Sequence, residues 1–322
     1  MSAIEIRGLT KTFGPKVAVN NLDLTVPVGS LCGFIGPNGA GKTTTIRMIM
    51  SIIFPDSGDL RVLGKASAVE SKDRIGYLPE ERGVYRKMKV GAFLNYMGKL
   101  KGIDPAATDT KVRAWLERMG LPNEYKKKCE ELSKGMQQKV QFISAVMHEP
   151  DLLILDEVFS GLDPVNRRLI RELIDEQHKA GRTVIFSTHA MFEAEQLCDQ
   201  IFMIHKGNKV LDGTLQSILS KFDPRSVLVE PVDPADADRL ASLPGVRSAQ
   251  PAGKATTEIR FDDSIDPALG MRSVVEAMPV RRVEVKRATL EDIFIDVVLG
   301  RSGSAGVDRE TIRNELAAAS SE

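Results

Sequence analysis

The chain has 322 residues, 42% of them hydrophobic, with 44 basic and 44 acidic side chains and no formal net charge. That length supports about two domains and a full core. The charge balance excludes the global basic field by which many nucleic-acid-binding proteins are recognised. Three scattered cysteines, Cys32, Cys129 and Cys198, have neither metal-ligand spacing nor a disulfide pattern, and read as reduced thiols of a cytosolic protein.

In chain order, MSAIEIRGLTKTFG alternates like a strand and lacks the apolar region of a signal peptide. No run approaches the roughly 18 apolar residues of a membrane span, so any action on a membrane is expected to pass through a partner. Residues 3–28 and 58–64 are β-rich and predict a small antiparallel layer. Between them, SLCGFI, GPNGAGKTT and TTIRMIMSII predict a strand, a glycine-rich turn and a helix. The turn is Gly36, Pro37, Asn38, Gly39, Ala40, Gly41, Lys42, Thr43 and Thr44, and it fits G-x-x-x-x-G-K-[ST]. Its glycines let successive backbone N–H groups curl into an anion nest, and the following helix adds the positive end of its dipole. Lys42 is then expected to reach the β- and γ-phosphates of a nucleotide, and Thr43 to ligand Mg²⁺.

Residues 88–147 read as helices broken near KGIDP and GLPNE, with YKKKCEEL as a solvated charged face. LLILDE (152–157) is a short buried strand ending in two carboxylates. Ligands of open α/β sheets bind at the C-terminal ends of strands, so Asp156 is expected to hold Mg²⁺ through water and Glu157 to polarise the attacking water. LSKGMQQ (132–138) opens an amphipathic helix with Val140, Ile143 and Met147 on one face; a Ser133 N-cap with solvated glutamines is the plainer reading. SGLDP (160–164) follows as a turn, and TVIFSTH (183–189) is a β-branched strand that delivers His189.

In this order and spacing the motifs resemble the nucleotide-binding domain of ABC transporters, over about residues 3–215. The resemblance implies an α/β fold with a P-loop NTPase core of the ABC type, carrying antiparallel β and helical subdomains. It implies that Ser133 and Gly135 belong to the signature motif, Asp163 to the D-loop and His189 to the switch loop. Phe13 matches the aromatic position that stacks on adenine, with a core phenylalanine as the alternative. IGYLPEERG (75–83) matches the loop that senses the membrane partner, and Glu80 stands there in place of glutamine as a nucleotide- and metal-site residue. Lys134 and Met136 are further departures, within the signature pattern. YLPEERG with LSKGMQQKV looks like the ATPase subunits of sodium- and drug-extrusion exporters.

That resemblance further implies ATP and Mg²⁺, a head-to-tail dimer with homodimer as the expected form, a membrane-spanning permease partner and a place at the cytoplasmic face of the cell membrane. No nucleic acid is expected; a soluble ATPase of the same class acting on nucleic acid or the ribosome is the alternative. Glu80 beside Asp156 and Glu157 concentrates negative charge, which raises the pKa of one member of such a group, so Glu80 is expected either to be partly protonated or to stay away from the metal until closure.

The domains are expected at 1–221 and 222–300, followed by a mobile polar tail at 301–322. In the second, SVLVEP, ADADRLASL, VRSAQP, TTEIRFD, PALGMRSVVEAM and VRRVEVKR run β-α-β-β-α-β, a small α+β ferredoxin-like arrangement. TLEDIFIDVVLG closes it as a helix with Leu290, Ile293, Phe294 and Val297 on one face. Its role is open between regulation, dimer support and simple packing.

Overall fold

The computed structural model describes residues 1–81, 83–222 and 224–302. The expected tail lies, from residue 303 on, outside the described residues. By compactness the chain forms two units: Met1–Leu215 together with the chain from Phe294 on, and Gln216–Ile293.

In the first unit, β1 (Ser2–Phe13) and β2 (Lys16–Pro27) form an antiparallel hairpin. β3 (Leu31–Ile35) leads into α1 (Lys42–Ile49). β4 (Ser57–Val62) then joins the free side of β1, giving a three-stranded antiparallel sheet in the order β2-β1-β4. The helix expected over TTIRMIMSII stops at Ile49, because Ser51 turns into the left-handed region at φ 55°.

β5 (Ile75–Leu78) precedes three helices: α2 (Val90–Leu100), α3 (Pro105–Arg118) and α4 (Lys134–Val146). The breaks fall at KGIDP, where Asp104 caps α3 and Pro105 opens it, and around GLPNE. Lys126, Lys127 and Lys128 are exposed, and Lys127 pairs with Glu124. The chain returns as β6 (Leu152–Asp156), α5 (Pro164–Lys179), β7 (Thr183–Thr188), α6 (Met191–Leu197), β8 (Gln200–His205) and β9 (Asn208–Thr214).

The main sheet has the order β5-β6-β7-β3-β8-β9, parallel except for the β8–β9 hairpin. β3, β6 and β7 are buried along their whole length, as continuous apolar runs in a sheet covered on both faces must be. Ile4, Ile6, Leu22 and Leu24 of the antiparallel sheet share one core with Ile46 and Ile49 of α1 and with Phe34, Ile154, Ile185 and Phe202 of the main sheet. The register aligns Ile35 with Thr188 and Asp156 with Ser187, so the C-terminal ends of β3, β7 and β6 lie side by side. That alignment positions the site.

The second unit begins within α7 (Leu215–Lys221) and contains β10 (Ser226–Pro231), β11 (Val246–Pro251), β12 (Thr257–Phe261), α8 (Pro267–Ala277) and β13 (Val280–Val285). Its strands form one antiparallel sheet in the order β11-β12-β10-β13. The first crossover, expected as a helix over ADADRLASL, is a 3₁₀ stretch at Pro234–Ser242. Asp233 caps it and Pro234 opens it, and of its residues only Leu240 is buried, too narrow an apolar stripe to anchor an α-helix. The core is Val227, Val229, Leu240, Ile259, Phe261, Val274 and Met278.

α9 (Leu290–Ser302) straddles the division between the units. Leu290, Ile293 and Phe294 are buried as expected, but Ile295 and Val298 are buried with them and Val297 is only half-buried. Phe294 stands edge-on to His205, their centroids 5.5 Å apart.

Candidate active site

The turn after β3 is held by backbone packing that admits only glycine at two places. A Cβ on Gly36 would lie 2.2 Å from the Ile204 carbonyl oxygen, and one on Gly41, at φ 113°, would lie 2.5 Å from that of Ala18. Ala40 is buried beneath the turn and its carbonyl accepts from the Gly207 N–H at 2.8 Å. Ala18 belongs to the β1–β2 hairpin, whose tip carries Phe13. Phe13 is half exposed, with the Lys11 ammonium 5.5 Å from its ring centroid. It is a surface aromatic and not a core phenylalanine.

Lys42 opens α1 and is buried. Its Nζ donates to the carbonyls of Gly36 at 2.7 Å and Pro37 at 3.2 Å. Glu157 Oε1 lies 3.4 Å from the same ammonium, close enough for an ion pair but without hydrogen-bond alignment. Glu157 is buried at the end of β6 with φ 49°, a left-handed backbone rare outside glycine and concentrated at functional sites. Its N–H donates to Ser187 Oγ at 3.1 Å, and its Oε2 is 3.0 Å from His189 Nδ1. A carboxylate oxygen accepts from an N–H, so His189 meets Glu157 through its Nδ1–H.

Asp156 is fully buried, and one of its oxygens accepts from Ser187 Oγ. Thr43 Oγ1 lies 3.4 Å from Asp156 Oδ1 and 3.4 Å from Glu80 Oε2, so the three groups converge although Glu80 itself is exposed. Asp156 Oδ2 is buried with no partner. Burial, together with the charges of Glu80 and Glu157, pushes the Asp156 carboxyl up from its ordinary value against the pull of Ser187 and Thr43. The crowded carboxylate whose proton affinity rises is thus Asp156. A hard cation fits here, since it would satisfy the orphaned oxygen and offset the charge. Among the described residues no three His, Cys, Asp or Glu side chains form a metal cage. The arrangement suits an ion completed by substrate phosphates and water.

The signature and D-loop residues do not join this cluster. Ser133 Oγ accepts from the Met136 N–H at 3.3 Å and caps α4; Asp163 accepts from the Asn166 N–H at 2.9 Å and caps α5. Gly135 lies beside Leu162, which would contact a Cβ there at 3.8 Å. The N-cap expected at Ser133 is present, but the glutamines behind it are not solvated. Gln137 is half-buried and donates to the carbonyls of Cys129 at 3.1 Å and Leu132 at 3.0 Å, and Gln138 is buried and donates to that of Val158 at 3.3 Å; Gln141, further along α4, is buried too.

Sequence reasoning missed these glutamines, Ser187 and Glu193. Glu193 on α6 is buried, 2.7 Å from Arg171 and 3.6 Å from Arg167 of α5. The signal for Ser187 was a polar residue inside an apolar strand, directly across from Asp156.

Fold and site together define a P-loop ATPase whose carboxylates and histidine sit at neighbouring strand ends. A family profile described as ABC transporter matches residues 19–160, and one described as the C-terminal domain of DrrA1-3-like ATP-binding proteins matches 213–298. A third, described as an AAA domain, overlaps the same core at 128–194. The chain is 40% identical, over 92% of its length and 98% of the relative's, to the uncharacterised ABC transporter ATP-binding protein YhaQ of Bacillus subtilis. It is 35% identical to a Nod factor export ATP-binding protein I of Burkholderia lata, over 92% of this chain and 96% of that one. It is 32% identical to the daunorubicin/doxorubicin resistance protein DrrA of Streptomyces peucetius, over 96% and 95%. A solved ATP-binding subunit of an ABC transporter superposes with a TM-score of 0.64 at 28% identity, over 69% of this chain and 93% of the other.

The chain belongs to the ATP-binding proteins of ABC transporters, ATPases whose hydrolysis is coupled to transport. The nucleic-acid alternative finds no support among these relatives. No helix among the described residues is long and apolar enough to cross a membrane.

Proposed function

We propose that this chain is the ATP-hydrolysing motor of an exporter. Two copies would pair head to tail at the cytoplasmic face of the cell membrane and drive a separate membrane-spanning permease. The observation that carries the reading is the convergence of Lys42, Thr43, Asp156, Glu157 and His189 at three adjacent strand ends. The relatives named for Nod factor export and for drug resistance support export as the direction of transport.

In this reading the N-terminus of α1 and the N–H groups of the turn receive the phosphates, and the Lys42 ammonium turns from Glu157 to the β- and γ-phosphate oxygens. Phe13 offers its exposed face to the adenine. Thr43 and Asp156, with Glu80 beside them, would hold Mg²⁺, which would offset the negative charge building on the phosphates in the transition state. Glu157, freed of Lys42, polarises the attacking water. His189 steadies that carboxylate through Nδ1–H and presents Nε2 to the γ-phosphate. Ser133 and Gly135, at the head of α4, and Asp163 would complete the ATP site of the second copy. The loop around Glu80–Tyr85 would meet the permease.

The test is Glu157→Gln, measured as ATPase rate and as equilibrium ATP binding. We expect hydrolysis to fall by about 10²–10⁴-fold, the scale of general-base catalysis, with ATP affinity retained. Turnover within a few-fold of the unsubstituted protein would remove Glu157 from the catalytic role.

A further inference from the structure

α4 carries Ser133 at its head and, two turns on, a buried glutamine that reaches out of the helix. Gln141 Nε2 donates to the carbonyls of Pro79 at 3.3 Å and Glu81 at 3.2 Å. Glu80 lies between these two carbonyls in sequence, and its carboxylate is the one 3.4 Å from Thr43. Two acceptors fix the orientation of the amide, because only its NH₂ end can serve both. Gln141 is 3% exposed and its Oε1 is buried without a partner, so its amide has no polar substitute at hand.

The loop needs such a clasp. Pro79 lacks an N–H, and among the described residues the segment between β5 and α2 is tied by backbone bonds only at its far end, around Arg86–Lys89, and by none at Glu80. Gln138, one turn earlier on α4, makes the parallel contact to Val158, next to Glu157. One helix is therefore tied by buried amides to the segments that follow β5 and β6, where two of the site carboxylates lie.

We propose that Gln141 is a positioning residue that locks Glu80 to α4, so that a shift of Ser133 at the head of the helix moves Glu80 toward or away from Thr43. In its catalytic consequence the inference rests on the function proposed above. Its mechanical part stands by itself.

The experiment compares Gln141→Met, which keeps an unbranched side chain of similar bulk but has no donor, with the unsubstituted full-length chain. Cleavage after Glu80 and Glu81 by a glutamate-specific protease is read first, without nucleotide. In Gln141→Met it is expected to be about tenfold faster, the ratio that one or two net hydrogen bonds supply, with cleavage elsewhere unchanged. Gln138→Met is expected to leave cleavage after Glu80 and Glu81 as it was. In the ATPase assay Gln141→Met is expected to raise the Mg²⁺ concentration for half-maximal rate about fivefold with the saturating rate kept. Added to Glu80→Ala it should change nothing further.

Unchanged cleavage after Glu80 and Glu81, or cleavage that rises elsewhere as well, would overturn the clasp. Additive losses in the double variant would overturn its action through Glu80. An unsubstituted protein without ATPase activity would instead count against the proposed function and leave the cleavage result standing.

Discussion

A buried carboxylate of the main sheet and a half-buried one of the C-terminal sheet have opposite fates. Glu258 on β12 of the C-terminal unit is also partly desolvated, which pushes its pKa up, but Lys286 and Ser226 each donate to it at 2.7 Å and hold it below the ordinary range. Asp156 on β6 has Ser187 and Thr43 nearby, and burial still wins, leaving one oxygen without a partner. The difference follows from architecture. The antiparallel sheet buries one face on Val227, Val229 and Ile259 and pairs charges across strands on the other, as Arg281 does with Glu230 and Lys286 with Glu258. The parallel sheet is buried on both faces, so polar groups are confined to strand ends, where parallel register sets them side by side. Self-satisfied charge supports a fold, and charge lacking partners marks a binding site.

The comparison is broken most strongly at Lys42. Lys42→Ala leaves the phosphate nest without its buried cation and is expected to weaken ATP binding by about 3–5 kcal/mol, measured by titration calorimetry. Near-normal affinity would mean that the strand-end charges do not form the nucleotide site. Phe261→Ala probes the other sheet. It empties part of the C-terminal core and is expected to destabilise that unit by about 3 kcal/mol in denaturant unfolding, while ATP affinity stays as it was. An equal loss of ATP binding would deny that the units have separate roles.

A smaller effect sharpens the contrast through pH. Burial and the nearby Lys101 charge push the His148 imidazole down from 6.5 to about 4, its Nε2–H donating to the Ile75 carbonyl at 3.2 Å. Between those pH values the unfolded chain binds the proton and the folded chain does not. The stability is therefore whole above the unfolded value and is lost as pH falls toward the folded one. The loss is about 1.4 kcal/mol by about pH 5.5. His148→Gln should flatten that slope in the first unit. All four histidines precede residue 216, so the C-terminal unit should show no such acid-sensitive step.

The phosphate turn, LLILDE and TVIFSTH were legible because each places an uncommon residue type at a strand end, and parallel strands bring their ends together. The β-α-β-β-α-β order was legible from alternation alone, although the 3₁₀ crossover was not, since Leu240 alone of ADADRLASL is buried. Gln138 and Gln141 were illegible for a different reason. On a helix, a glutamine reads as solvated unless one knows which carbonyls approach it, and those of Val158, Pro79 and Glu81 come from distant parts of the chain. Ser51 and α9 are similar cases. The helix pattern ran past a backbone reversal, and the buried face of α9 turned on whether Val297 or Val298 points inward.

The central claim, that the orphaned oxygen of Asp156 is the seat of a cation bound with ATP, is tested most directly by ATP affinity measured with and without Mg²⁺ in the unsubstituted chain and in Asp156→Asn. We expect Mg²⁺ to tighten ATP binding in the first and to lose most of that effect in the second. Mg²⁺-free binding should be equal or tighter in the variant, because a negative charge beside the phosphates is gone. An equal response to Mg²⁺ in both proteins would contradict the account.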